Sequence, residues 1–282
     1  MTINKIFGFL FSNSTYSNFL FWYNTKRLKK EYYRLNLNAP RTFNEKVSWI
    51  KFNVRNPSSV QVADKFLVRD YVQQKAGNDV LIPLIKVYDS PELIDFNELP
   101  NEFVMKLNNG SGYNLICKDK RQINFEFEKN KFLKAFNSDI YGMSREWHYK
   151  KIKPRVIVEK LLVGSLLDYK FFCNNEGPFM IQVDVDRFTD HRRNIYDMSW
   201  NLMPQRIRYE NTKHSIEKPR SLSAMIELAK LLSSDFQFCR IDLYEHGNKV
   251  YFGEITLHPG GGVEPFDSFS SDLKFGTYIN LD

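Results

Sequence analysis

Residues 240–262 read R-I-D-L-Y-E-H-G-N-K-V-Y-F-G-E-I-T-L-H-P-G-G-G. Asp242 lies inside an apolar strand pattern over 239–244. A short polar turn follows at 245–249, with Gly247-Asn248 at its centre. A second apolar strand pattern then delivers Glu254, two residues before Thr256. Two alternating runs joined by a Gly-Asn turn predict a β-hairpin. Side chains alternate along a strand, so Asp242 and Glu254 are expected to face each other across the pair, with Arg240 on the same face. Two hard carboxylates held side by side on rigid strands suit Mg²⁺, which binds through one or two carboxylates plus substrate phosphates. The hairpin therefore points to a chain that handles a nucleoside triphosphate.

The rest of the chain sets the frame. Its 282 residues fit one large domain or two closely joined ones, and 43% hydrophobic with 26% charged residues marks a globular chain. The net charge of +7 is mild. It suits anionic ligands such as nucleotides or acidic glycans. No zinc-finger spacing or recognition helix points to nucleic acid. Cys117, Cys173 and Cys239 are far apart in apolar runs, which reads as buried thiols in a reducing cytoplasm. No apolar stretch reaches the length of a spanning helix. Near the N-terminus, I-F-G-F-L-F (6–11) and F-L-F-W-Y (19–23) precede Lys26, Arg27, Lys29 and Lys30. The polar break at 12–18 argues against a signal peptide. An aromatic, basic helix here either packs on the domain or lies against anionic lipid at the inner face of the cell membrane.

Residues 1–38 read as helical and basic, and Thr42 with Glu45 forms a capping box for a helix over 42–53. A further helix is expected over 63–75, ended by Gly77-Asn78, and an amphipathic one over 221–233. Strands are expected around 80–88, 101–106, 114–118 and 155–162, and as a hairpin of 168–173 with 179–185. Residues 187–205 look polar and irregular. Strands mixed with helices, without regular βαβ alternation, favour an α+β fold.

Three further stretches carry potential chemistry. In F-V-M-K-L-N-N-G-S-G-Y-N (103–114), a strand delivers Lys106 and a loop with Gly110, Ser111 and Gly112 follows. Glycines let backbone N–H groups approach phosphate oxygens, although a Gly-Ser-Gly hairpin also occurs as a plain turn. The order is not that of a P-loop. In V-I-V-E-K-L-L (156–162), Glu159 and Lys160 have apolar flanks that would suit an adenine edge, or they are solvated charges on an edge strand. In A-D-K-F-L-V-R (63–69), Lys65 and Arg69 fall four apart, either aimed at one anion or on a solvated helix face.

Order and spacing of these stretches resemble the ATP-grasp superfamily, whose D-alanine–D-alanine ligases show the same order. More closely, T-F-N-E-K (42–46), A-D-K (63–65), L-I-P-L (81–84), Y-D-S-P (88–91), N-G-S-G-Y-N (109–114), S-R-E-W (144–147), D-Y-K-F-F-C (168–173), D-R-F-T-D-H-R-R-N (186–194) and F-G-E-I-T (252–256) resemble the teichuronopeptide-biosynthesis, TupA-like type, over about 38–275. The resemblance implies an ATP-grasp fold: two α+β subdomains clasping ATP between antiparallel sheets, with a short helical N-terminal extension. The expected boundaries are 1–58 for that extension, 59–160 for the subdomain with the phosphate loop and 161–282 for the one with the metal hairpin.

By resemblance, Arg69 and Lys106 would contact ATP phosphates under the Gly110, Ser111 and Gly112 loop, while Glu159, Lys160 and Leu162 line the adenine pocket. Asp242 and Glu254 would bind Mg²⁺, with Thr256 where the superfamily usually carries Asn. Arg240, Lys106 and the backbone of Gly260 would stabilise an acyl phosphate on its way to an amide. About 60 residues precede the A-D-K stretch, too few for the Rossmann-like domain of many such enzymes. The acceptor side is therefore expected from residues 186–209, where Arg187, His191, Arg192 and Arg193 suit a carboxylated glycan or sugar precursor, and from His258. The expected activity is amide formation with an amine or amino acid, in the biosynthesis of a capsule, O-antigen or teichuronic-type polymer. Two other readings stand beside it. Asp184-Val185-Asp186 is a D-x-D triplet of the kind that holds a metal in glycosyltransferases, and a non-catalytic, nucleotide-responsive membrane adaptor would also use the basic N-terminus.

Overall fold

The computed structural model describes residues 11–110, 113–164, 166–186 and 189–281. Ser111, Gly112 and Arg187 lie outside the described residues, as does most of the apolar 6–11 stretch. The elements run α1 (Asn13–Leu28), α2 (Phe43–Asn53), α3 (Ser59–Ala63), α4 (Val68–Ala76), β1 (Leu84–Tyr88), β2 (Phe103–Leu107), β3 (Asn114–Cys117), α5 (Phe125–Phe136), α6 (Ile140–Ser144), β4 (Val156–Glu159), β5 (Asp168–Asn174), β6 (Gly177–Val185), β7 (Arg192–Tyr196), α7 (Leu222–Ser233), β8 (Phe238–His246), β9 (Lys249–Thr256) and α8 (Phe269–Gly276). The strands form two antiparallel sheets, ordered β1-β4-β2-β3 and β7-β6-β5-β8-β9. The fold is α+β.

The five-stranded sheet is covered on both faces, and its period-2 alternation sorts the side chains. One face sends Phe171, Cys173, Ile181, Val183, Cys239 and Ile241 against α7 and α4. The other sends Phe172, Met180, Ile195 and Phe238 under α2 and α8. Continuing two residues at a time along that second face, β5 runs from Phe172 to Lys170 and Asp168. β8 runs from Phe238 to Arg240 and Asp242, and β6 from Met180 to Gln182 and Asp184. Half of one sheet face is thus apolar beneath two helices, and the other half is charged. The four-stranded sheet is built alike. Phe103, Met105, Leu107, Val156 and Val158 pack with Phe132 of α5, while Lys106 and Glu159 occupy the opposite face.

Several expected elements shift, each for a local reason. The helix expected over 63–75 forms only from Val68, because α3 already ends at Ala63 and residues 64–67 are a turn. The Asp64 side chain accepts from the backbone N–H of Phe66 (2.8 Å) and Leu67 (3.2 Å), a capping contact that restarts the helix at Val68. Lys65 and Arg69 therefore do not share one helix face. Residues 29–38 are not helical: the N–H of Leu35 goes to the Asn18 side chain at 2.8 Å and that of Asn36 to Glu45 at 2.7 Å. Within the segment read as irregular, Arg192–Tyr196 is the edge strand β7. Its polar side chains hide the alternation because Arg193 is buried against a carboxylate. The Thr42–Glu45 capping box is present as expected.

Candidate active site

The β8–β9 hairpin turns on Gly247 and Asn248 alone, both at positive φ (57° and 60°). Two central residues of this kind make the turn whose twist matches the strands. That turn sets the register as far as Leu243 opposite Phe252; a β-bulge at Gly253 then shifts it by one residue, so that Asp242 pairs with Glu254 and Arg240 with Thr256. Arg240 grips Asp242 with two bonds, Nε to Oδ1 at 2.6 Å and Nη2 to Oδ2 at 2.7 Å. The same Nη2 reaches Glu254 Oε1 and Thr256 Oγ1, each at 3.1 Å, and Thr256 donates to Glu254. On the neighbouring strand Lys170 lies opposite Asp242 in register and is ion-paired with both Asp242 and Asp168.

A second ionic group belongs to the four-stranded sheet. Glu159 is buried and receives Lys106 Nζ at 2.7 Å and Arg69 at 3.2 Å. Lys65 links the groups: its Nζ lies 3.5 Å from Glu254 and donates to the carbonyl of Gly110 at 2.6 Å. Among the described residues, five cations (Lys65, Arg69, Lys106, Lys170, Arg240) meet four carboxylates (Glu159, Asp168, Asp242, Glu254), leaving one positive charge. A site with that balance favours an anion. Burial works against the charge on Glu254, yet Lys65, Arg240, Lys170 and Lys106 hold its carboxyl well below the usual range. Burial pushes the Asp242 carboxyl up, opposed by Arg240 and Lys170.

A cavity of about 270 Å³ opens beside the hairpin, with walls that include Lys65, Gly110, Arg240, Glu254, Thr256 and Gly260. Its floor is the turn 258–262, where Gly260, Gly261 and Gly262 all take positive φ (59°, 63° and 70°). A Cβ on Gly262 would stand 2.6 Å from the Ser48 backbone nitrogen, so the turn packs directly on α2. Lys51 Nζ donates to Gly261 O at 2.6 Å, and Ser48 to Gly262 O at 2.9 Å. His258 and Glu146 also border the cavity and hydrogen-bond to each other at 2.8 Å.

The remaining candidates are spread out. Lys160 is exposed, with its N–H bonded to Pro83 O at 2.9 Å, while Leu162 is buried. His191 stacks on Tyr209 with ring centres 3.8 Å apart and contacts Asp184 at 3.1 Å. Arg192 pairs with Asp190 at the surface. Arg193 turns inward between Asp184 (2.6 Å) and Glu264 (3.2 Å). Asp184 also accepts from Gln182, so the D-x-D triplet has its first carboxylate committed within the sheet. Lys170, Glu146 and His148 belong to this region but were not singled out as site residues by sequence.

The donors at the hairpin fit Mg²⁺. Asp242, Glu254 and the Thr256 hydroxyl all present hard oxygen atoms on two paired strands.

A search of curated proteins found no match. Among solved structures, D-alanine–D-alanine ligase from Helicobacter pylori is 15% identical over 84% of this chain and 69% of that one, with a TM-score of 0.46. The Bacillus anthracis D-alanine–D-alanine ligase complexed with ATP is 15% identical over 71% and 55%, with a TM-score of 0.42. Phosphoribosylamine–glycine ligase from Thermotoga maritima is 16% identical over 75% and 54%, at 0.44. The chain thus spans about half the length of the latter two. These are distant likenesses. The family model described as TupA-like ATPgrasp, by contrast, matches residues 45–280, and this chain belongs to that family.

Proposed function

We propose that the chain is an ATP- and Mg²⁺-dependent carboxylate–amine ligase that forms an amide through an acyl phosphate. The observation that carries this reading is the in-register pair Asp242 and Glu254, with Arg240 forked between them and Lys65 and Lys106 converging from the other sheet. The sheets within 59–160 and 161–282 act as the two jaws, preceded by the helical segment 1–58. Arg69 and Lys106 take the phosphates under the Gly110, Ser111 and Gly112 loop, exchanging their pairing with Glu159 for the nucleotide. Glu159, Lys160 and Leu162 border the adenine.

Phosphoryl transfer needs positioning and charge neutralisation more than a protein nucleophile. A substrate carboxylate oxygen attacks the γ-phosphorus, and ADP leaves. The amine nitrogen then attacks the acyl carbon, loses a proton, and phosphate departs. Mg²⁺ held by Asp242, Glu254 and Thr256 supplies charge neutralisation at the transferred phosphoryl group. Arg240 and Gly260 line the cavity, and the guanidinium with the Gly260 backbone would stabilise the negative charge that develops on the acyl oxygen, the electrostatic role that dominates such steps.

The acceptor fits a carboxylated glycan or sugar precursor in cell-surface polysaccharide biosynthesis, joined to an amine or amino acid. Arg187, His191 and Arg192 would meet its carboxylate, with Arg193 fixing that strand from behind and His258 at the cavity floor. No described helix is long and apolar enough to cross a membrane. α1 exposes Phe19, Trp22 and Tyr23 beside Lys26 and Arg27, which suits peripheral contact with an anionic membrane from the cytoplasmic side.

An isotope experiment tests the acyl phosphate. With a uronic acid labelled with ¹⁸O in its carboxylate, one labelled oxygen should appear in the released phosphate. Amide formation that leaves both labelled oxygens out of the phosphate would rule that intermediate out.

A further inference from the structure

Beside the carboxylate hairpin lies a second cluster of different chemistry. Glu146 and His148 flank Trp147 at the start of a short turn before β4, and His258 opens the glycine turn. One ligand atom from each of the three lies within 4.8 Å of the others. His258 Nδ1 is 2.8 Å from Glu146 Oε2, and His148 Nε2 is 3.6 Å from the same oxygen. The two imidazoles stack at 5.5 Å with their planes 19° apart. Three ligands at about 2.0–2.1 Å from a tetrahedral centre stand roughly 3.3 Å from one another. The observed separations straddle that value.

His148 supplies an independent observation. It is 1% exposed, and its Nδ1 is buried with no hydrogen-bond partner among the described residues. Its Nε2, at 3.6 Å from the carboxylate, is beyond hydrogen-bond reach as well. Nε2 is the nitrogen turned toward Glu146, so a metal there would give the ring one bonded nitrogen while Nδ1 stays unpartnered. Lys51 does not occupy the cluster, since its ammonium is bonded to the Gly261 carbonyl.

We propose that Glu146, His148 and His258 form a site for a divalent transition-metal ion of the zinc class, separate from the Mg²⁺ site at Asp242 and Glu254. Two imidazoles and one carboxylate select such an ion over Mg²⁺, which prefers oxygen donors throughout. Coordination through Nδ1 of His258 moves its ring hydrogen to Nε2, which has no competing partner among the described residues. Three protein ligands leave a fourth position open, the pattern of sites that receive a water or substrate atom. All three residues border the cavity that also holds Arg240 and Glu254, so that position faces the substrate chamber. The metal site does not depend on the ligase reading.

Chelator-stripped protein dialysed against Co²⁺ with excess Mg²⁺ and no nucleotide tests the site. A single equivalent should be retained, with the visible absorption of four-coordinate Co²⁺. Asp242→Asn should retain it equally, while Glu146→Gln and His148→Ala should weaken it by more than about a hundredfold, beyond what loss of an outer-sphere partner costs. Wild-type protein that takes up no Co²⁺ over Mg²⁺ overturns the proposal, whatever the variants do. So does uptake that falls in Asp242→Asn and survives Glu146→Gln, since the ion then sits at the hairpin. Circular dichroism separates lost ligation from lost folding, and Glu146→Gln keeps the test open if His148→Ala unfolds.

Discussion

Glu254→Gln is expected to cut ATP turnover by at least about a hundredfold, the scale on which single charge-stabilising groups act in such sites. Glutamine keeps the shape of the side chain and can still accept from Arg240 and Thr256, now 3.1 Å from the carboxylate. What it removes is the charge that faces Asp242 across the hairpin. The side chain is 32% exposed, so the fold should survive and circular dichroism should match the wild type. A coupled assay of ADP release checks this. Turnover within a few-fold of wild type would sink the metal assignment at the hairpin.

The second large effect is on stability. Arg193 is 6% exposed and is held between Asp184 and Glu264, which come from β6 and from the segment after the glycine turn. The arginine keeps the Asp184 carboxyl far below its usual range against the opposing effect of burial. Arg193→Ala leaves two carboxylates facing each other with their main counter-ion gone. Breaking a buried pair in this way costs about 3–5 kcal/mol. In a chain of this size the thermal midpoint should fall by roughly 10 °C. Arg192→Ala, which removes a surface arginine paired to Asp190, should leave the midpoint nearly unchanged. Equal melting of wild type and Arg193→Ala would show that the buried pair does not hold β7 to the rest of the fold.

The part of the site written in local sequence was the part legible without coordinates. The Gly-Asn turn marks the hairpin, and period-2 alternation groups Arg240 with Asp242 and Glu254 with Thr256, but the two pairs share a face only because a bulge at Gly253 shifts the register by one residue, which the turn alone does not encode. The same reasoning gave the β5–β6 hairpin and the α7 helix. Lys170 shows where it stops. Its place opposite Asp242 depends on β5 lying beside β8, a pairing between segments 72 residues apart that no local pattern encodes. Glu146 and His148 meet His258 only because one turn before β4 closes on another after β9, across 112 residues of sequence. β7 was missed because Arg193 and Asn194 look like solvent-facing residues, and only the carboxylate behind Arg193 makes its burial tolerable. The break at Asp64 was missed because an aspartate inside a helical pattern gives no sign that its side chain will cap the next turn.

Phosphate and ADP release from Mg·ATP, with uronic acids and amino acids offered singly and in pairs, tests the central claim most directly. ADP release that requires both a carboxylate and an amine, and disappears in Asp242→Asn, is the result a carboxylate–amine ligase predicts. No ATP consumption with any pair, together with turnover of a sugar nucleotide, would contradict it and return the metal to Asp184 and Asp186.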